Sequence, residues 1–299
     1  MLSIVTRRFG TVLLLCVSVL AFGGERKFEK KFDVKSGGTL RLTTDVGEVR
    51  ISGGSTSGVS IIAVIDGRDA DEFEVTANQV GNDVEIQGKA KKSGFWHNTR
   101  VDVEYTILVP TEYGVSVHSS GGDVEVKSLK GSVKAETSGG SVAIRDITGK
   151  VDGESSGGSM SAENISGDVR LETSGGGIKA QSVTGDVQAS TSGGGIKLRD
   201  IKGRVDAETS GGSIGVAVTG PNKGINVETS GGGIDIVIEK SAGAEIDAST
   251  SGGGVECDLP VTVKGKLDGS HIRGTVNGGG PLIRAHTSGG GIRIRSEGK

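Results

Sequence analysis

The chain has 299 residues, 54 of them glycine and four proline, with 34 basic and 37 acidic residues and a net charge of −3. That glycine load far exceeds the ordinary share of roughly 7%, yet scarce proline excludes collagen-like and proline-rich linker sequences. The balanced charge, with no basic stripe carrying interleaved aromatics, gives no reason to expect nucleic acid as a partner.

The first element is a targeting segment. Arg7 and Arg8 precede the apolar run "TVLLLCVSVLAF", and Ala21 and Gly23 supply small residues at its end. This order reads as an export signal over residues 1–23, with cleavage near Gly23. Cys16 is apolar filler, because Leu15 stands where a lipid-attachment motif wants a small residue. After cleavage Cys257 is the single thiol, so no intramolecular disulfide is expected. No second apolar run of about 18 residues follows, so no transmembrane anchor is expected. The expected location is the periplasm, the extracellular space or the cell surface.

Residues 24–113 carry long, irregularly spaced strands: "TLRLTTDVGEVRISGG", "VSIIAVIDG", "DVEIQG" and "TRVDVEYTILVP". Every aromatic residue beyond the signal lies here: Phe28, Phe32, Phe73, Phe95, Trp96, Tyr105 and Tyr113. A repeat array exposes its core at its first unit, and a terminal cap must cover it. Residues 24–113 are therefore expected to be a β region capping the array.

Residues 114–299 are expected to be that array. Ser-Gly-Gly begins at Ser120, Ser138, Ser156, Ser174, Ser192 and Ser210, every 18 residues without slippage. Such a period signals a solenoid. Counted from each serine, apolar columns recur, as in Ile178, Ala180 and Val183, then Val187 and Ala189. Spacings of two are strand alternation, and a Thr or Ser column (Thr137, Ser155, Thr173, Thr191, Thr209) closes each unit. Each unit gives two short strands and two turns, one at Ser-Gly-Gly and one at Gly149, Gly167, Gly185 or Gly203. Glycine there is expected to supply positive φ. The predicted fold is all-β: a parallel, β-roll-like solenoid of 18-residue coils with two facing sheets. Coils would stack ~4.8 Å apart.

After Ser210 the intervals become 20, 21 and 37, with an insertion at Pro221. The 37-residue interval fits two coils, the middle one degenerate around "LDGSHIRGTVNGGG". The last strand, with Arg293 and Arg295 outward, is expected to be a charged edge.

Three stretches, "FDVKSGGTLRLTTDVGEVRISG", "VDVEYTILVPTEYGVSVHSSGGDVEV" and "GSVKAETSGGSVAIRDITGKVDGESSGGS", carry a resemblance. The chain resembles, over roughly residues 28–295, the bacterial "putative adhesin" family of β-strand repeats, a domain of unknown function on exported proteins. The resemblance implies a β-solenoid and an envelope or extracellular setting, and it brings no catalytic residues.

Chemistry-bearing patterns are sparse. The corners "SGGGIK" and "SGGSIG" lack the Asp that calcium-binding β-rolls place in their turns, so no calcium is expected. Glu136, Glu154, Glu172, Glu208 and Glu228 share a column, where like charges ~4.8 Å apart repel by about 0.9 kcal/mol in water. The adjacent column (Lys134, Asp152, Arg170, Gln188, Asp206) can offset this, and a solvated face is the expected reading. His97, His118, His271 and His286 show no metal-ligand spacing. No acid/base constellation, cofactor motif or metal site emerges, so no catalytic, cofactor-binding or metal residue is expected. Phe95 and Trp96 in "KKSGFWHNTR" form either a contact tip or part of the cap. Cys257 falls on an inward column and is expected to be a buried, inert thiol. The expected function is a non-enzymatic exported contact protein, binding an unidentified protein or envelope glycan. Phe95, Trp96, Lys179, Lys197 and Arg199 are the candidate contacts. The alternatives are a polysaccharide-active enzyme on a β-helix scaffold and a structural module associating end to end.

Overall fold

The computed structural model of the chain describes residues 20–22, 25–91, 100–263 and 269–296. The export signal expected over 1–23 lies outside these residues, apart from 20–22.

The fold is a parallel β-solenoid built from two 14-stranded sheets. In each repeat the apolar columns place one strand in each sheet. Val124–Lys130, Val142–Thr148, Met160–Ser166, Ile178–Thr184 and Ile196–Ile201 follow one another in the first sheet. Val133–Thr137, Val151–Ser155, Val169–Thr173, Val187–Thr191 and Val205–Thr209 do so in the second. Ile178 pairs with Ile196, and Ile196 with Ile214, on neighbouring parallel rungs. Their side chains are almost fully buried in one continuous core. Truncating such an isoleucine to alanine costs about 2–5 kcal/mol.

Two features of the coil go beyond simple alternation. Strands of the first sheet bury positions four, six and nine, and the step of three needs a local reversal. Ser128, Asp146, Asn164, Ser182 and Asp200 supply it, each left-handed with φ between +56° and +61°. Ser, Asp and Asn tolerate that region because their short polar side chains bond locally.

The Ser-Gly-Gly corner corrects the expectation of positive φ. Of its glycines from Gly121 to Gly212, only Gly122 has one, at +104°. The requirement is proximity. A Cβ on Gly176 would lie 2.2 Å from the Gly158 carbonyl oxygen of the rung before, and one on Gly194 equally close to Gly176. Each second glycine lets the corner nest on its predecessor. Positive φ does hold at three glycines of the other turn, Gly149, Gly167 and Gly185, between +148° and +154°, but not at Gly203, where close approach to the Gly185 carbonyl oxygen again excludes a Cβ.

Thr and Ser at the corner entrance are buried. Thr137, Ser155, Thr173, Thr191 and Thr209 each donate their hydroxyl to a glycine carbonyl of the preceding rung at 2.7–3.0 Å.

At the N-terminal end, Thr39–Thr44 and Glu48–Gly54 form a further rung, parallel to Gly114–Ser119 and Val124–Lys130. Leu40, Leu42, Thr44, Val49 and Ile51 take the inward columns. Beyond it the strands become largely antiparallel: Glu25–Asp33, Gly58–Asp66 and Asp102–Pro110 in one sheet, Phe73–Val80 against Asp83–Ala90 in the other. Tyr105, Phe73 and Tyr113 fill the wider interior here. The edge strand Phe73–Val80 is covered by side chains: Arg26 donates to the carbonyls of Ala70 and Phe73, and Lys30 to that of Ala77 at 2.6 Å.

The C-terminal end departs from sequential stacking. Strands Leu282–Thr287 and Ile292–Ser296 insert between the rung of 225–238 and the rung of 244–257. Ile292–Ser296 is thus interior to its sheet, correcting the expectation of a charged edge. Arg295 and Arg293 do point outward, and pair with Asp235 and Glu256, each at 2.8 and 2.7 Å respectively. The stretch expected to be a degenerate coil instead gives His271–Val276, antiparallel to Ala244–Thr250 and to Val261–Val263.

Candidate functional site

The repeat turns sequence columns into ladders on two outer faces. On the second sheet, His118, Glu136, Glu154 and Glu172 occupy successive rungs and line a shallow groove of about 500 Å³ with Ser138, Ser156, Ser174 and Ser192. Ion pairing runs along two of these strands: Lys134 meets Glu136 at 2.5 Å, and Arg170 meets Glu172 at 2.6 Å. The Lys134 ammonium, with His118 at 3.1 Å, holds the Glu136 carboxyl below its ordinary range. Asp152 leaves one carboxylate oxygen buried without a hydrogen-bond partner between those two strands.

On the first sheet the charge arrangement differs. Lys179 and Lys197 are register partners, and Gln181 stands opposite Arg199. All three cations are exposed. The same rung continues outward through Lys202 and Arg204, also exposed. Among the described residues, no carboxylate lies within ion-pair distance of these five side chains, whereas Lys134, Arg170, Arg293 and Arg295 all have one. The nearby acids are otherwise engaged: Asp186 accepts the Arg204 backbone N–H at 2.8 Å, and Asp200 accepts the Thr219 hydroxyl at 2.7 Å. Beside Lys179 a depression of about 380 Å³ is floored by small residues, among them Ser141, Ser159, Ser161 and Gly177.

The structure brings Lys179, Lys197 and Arg199 together on one face. Lys202 and Arg204 were missed, although "IKLRDIKGR" carries all four cations of this rung in sequence. Phe95 and Trp96 lie outside the described residues. Cys257 pairs in register with Ile294 but is only half-buried, so the fully buried thiol is corrected. Burial still pushes its thiol pKa up, away from thiolate chemistry. His271 meets Asp247 at 3.1 Å and His286 meets Ser249 at 3.0 Å. Among the described residues, no three His, Cys, Asp or Glu side chains group to hold a metal ion. No helix among them is long and apolar enough to cross a membrane.

Residues 38–295, which hold the rungs, the corners and all of the antiparallel end except Glu25–Asp33, match a family model described as Toastrack DUF4097. The chain belongs to this family. No curated protein matches it. Solved structures resembling this Toastrack chain include a "putative adhesin" from Parabacteroides merdae, 12% identical, covering 91% of this chain and 96% of that one, at a TM-score of 0.48. A "putative lipid binding protein" from Parabacteroides distasonis is 14% identical, with 91% and 97% covered and a TM-score of 0.47. A "putative adhesin" from Bacteroides fragilis is 14% identical, with the same coverage and a TM-score of 0.42. The Toastrack assignment rests on the family match and the repeat geometry, not on these distant likenesses.

Proposed function

We propose that this Toastrack chain is an exported, non-enzymatic contact protein that displays ladders of outward side chains to an envelope component. The observation that carries this reading is the register itself. Outward residues such as Lys179 and Lys197, or Glu136, Glu154 and Glu172, stand side by side on adjacent rungs, so a partner meets matching groups at a fixed spacing. Arrays of this kind suit extended surfaces better than small ligands.

The enzymatic alternative would use the glutamate ladder, since glycoside cleavage needs two carboxyl groups, one kept protonated. Glu136 is pushed the opposite way by Lys134 and His118, and its groove lies on an open face. The end-to-end alternative meets an N-terminal edge whose carbonyls already accept Arg26 and Lys30.

The test is to incubate the secreted protein with cell-envelope fractions and, separately, with a polysaccharide panel. Retention on an envelope fraction without new reducing ends supports the proposal. New reducing ends or unsaturated products would replace it with the enzymatic reading.

A further inference from the structure

We infer that the belt formed by Lys179, Lys197, Arg199, Lys202 and Arg204 is a binding site for a polyanionic polysaccharide, one bearing carboxylate, sulfate or phosphate groups along its chain. The inference rests on the contact-protein reading above and names the ligand class for one face.

The geometry begins with spacing. Lys179 and Lys197 sit on adjacent rungs, ~4.8 Å apart, while Lys197 and Arg199 are two residues apart on one strand, roughly 6.6 Å. Lys202 and Arg204 carry the series around the turn, where their backbone N–H groups are fixed to Val183 and to the Asp186 carboxylate at 2.8 Å. Lys179, Lys197 and Arg199 stand close enough to repel one another, and among the described residues no carboxylate lies within ion-pair distance of any of the five side chains. At Lys134 and Arg295 the protein does place an acid beside the cation. An external row of anions would supply the missing partners, and an arginine can grip a carboxylate or phosphate with two N–H groups at once.

Shape and composition select among anionic partners. Lys179, Lys197 and Arg199 lie on an open sheet face, next to the 380 Å³ depression lined by Ser141, Ser159, Ser161 and Lys179, which offers hydroxyls to a sugar ring, and Lys202 and Arg204 extend the belt around the turn. A polymer can follow such a belt across several cations, whereas a small anion would find no enclosed pocket. The three large apolar side chains exposed among the described residues are Val80, Leu108 and Leu282, none of them on these rungs, so nothing here would enter a membrane. No aromatic residue occurs beyond Tyr113 to stack on nucleobases or on the faces of neutral sugars. Recognition must come from charge with hydroxyl support.

The experiment measures binding of the full mature chain to polygalacturonate and dextran sulfate. Neutral dextran, poly-glutamate and vesicles containing phosphatidylglycerol serve as the other arms, all at 50 and 200 mM salt. The inference expects binding to both anionic polysaccharides, weakened at least tenfold by the higher salt, and none to neutral dextran. Lys197→Gln with Arg199→Gln should weaken binding at least tenfold at unchanged melting temperature. Lys134→Gln with Arg170→Gln, on the opposite face, should leave it within twofold. Equal loss in both variants, or absence of binding to either anionic polysaccharide, overturns the inference. Stronger binding to poly-glutamate or to vesicles overturns it in favour of an acidic protein or an anionic membrane. Retention on envelope fractions by the Lys197/Arg199 variant would sink the belt while leaving the contact-protein reading intact.

Discussion

Thr173 donates its hydroxyl to the carbonyl oxygen of Gly158 on the preceding rung at 2.8 Å. Thr173 is buried and Gly158 half-buried, and the same bond recurs one rung on, from Thr191 to Gly176. The corner glycine has no side chain to shield its carbonyl, so a hydroxyl from the neighbouring rung takes that role.

Thr173→Val keeps the shape and removes the donor, leaving a half-buried carbonyl without its partner. The expected loss is about 1–3 kcal/mol. Thr184→Val, at an exposed position, should change stability by less than about 0.5 kcal/mol. Denaturant unfolding of the two variants checks this, and equal stabilities would remove the hydroxyl ladder from the account.

The two glycines of a single corner should behave differently. A Cβ on Gly140 would sit 2.0 Å from the Gly122 carbonyl oxygen, whereas one on Gly139 meets nothing within 4 Å. Gly140→Ala should therefore cost about 3 kcal/mol or more, by forcing adjacent corners apart. Gly139→Ala should fall within about 0.5 kcal/mol of the parent. Thermal melts of the pair decide it, and a tolerated Gly140→Ala would mean that the corners are not nested.

These contrasts mark what the sequence could and could not reveal. The 18-residue period exposed the rungs, their inward columns and the parallel stacking, because identical coils must repeat the same residues. It did not distinguish glycine needed for close approach from glycine needed for φ, since both leave the same letter. The rung of 39–54 was hidden because "TTDVG" replaces Ser-Gly-Gly there. The insertion of Leu282–Thr287 and Ile292–Ser296 between earlier rungs was equally hidden. A periodic pattern states which residues face inward, but the order of similar coils depends on which edges remain open. At the site, Lys179, Lys197 and Arg199 were legible as outward cations. Their lack of carboxylate partners required coordinates, because pairing depends on which way each acid points.

The left-handed column offers an independent test of the coil. Ser182 holds φ at +56° between two inward residues, Ala180 and Val183. A β-branched residue there clashes with its own backbone. Ser182→Val is expected to destabilise by about 1–2 kcal/mol, while Ser182→Asn, which matches Asn164 of the preceding rung, should be neutral or slightly stabilising. If valine were accepted as readily as asparagine, the strand reversal at this column would be wrong.

The Glu136 ion pair predicts a pH dependence of known sign. Lys134 and His118 lower the Glu136 pKa in the folded chain, and Glu154 is its register partner on the next rung. A carboxyl with a depressed folded pKa contributes stability above its unfolded pKa, and loses it as pH falls through the folded value. The Glu136 contribution is therefore present at neutral pH and fades on acidification below about pH 4.5, its ordinary value. Glu136→Gln should melt below the parent at pH 7, with the gap shrinking as the pH falls below about 4.5 and the parent carboxyl takes up its proton. Melting curves of both proteins at half-unit steps measure that gap. A constant gap would assign the Glu136 effect to packing along the strand instead of to charge.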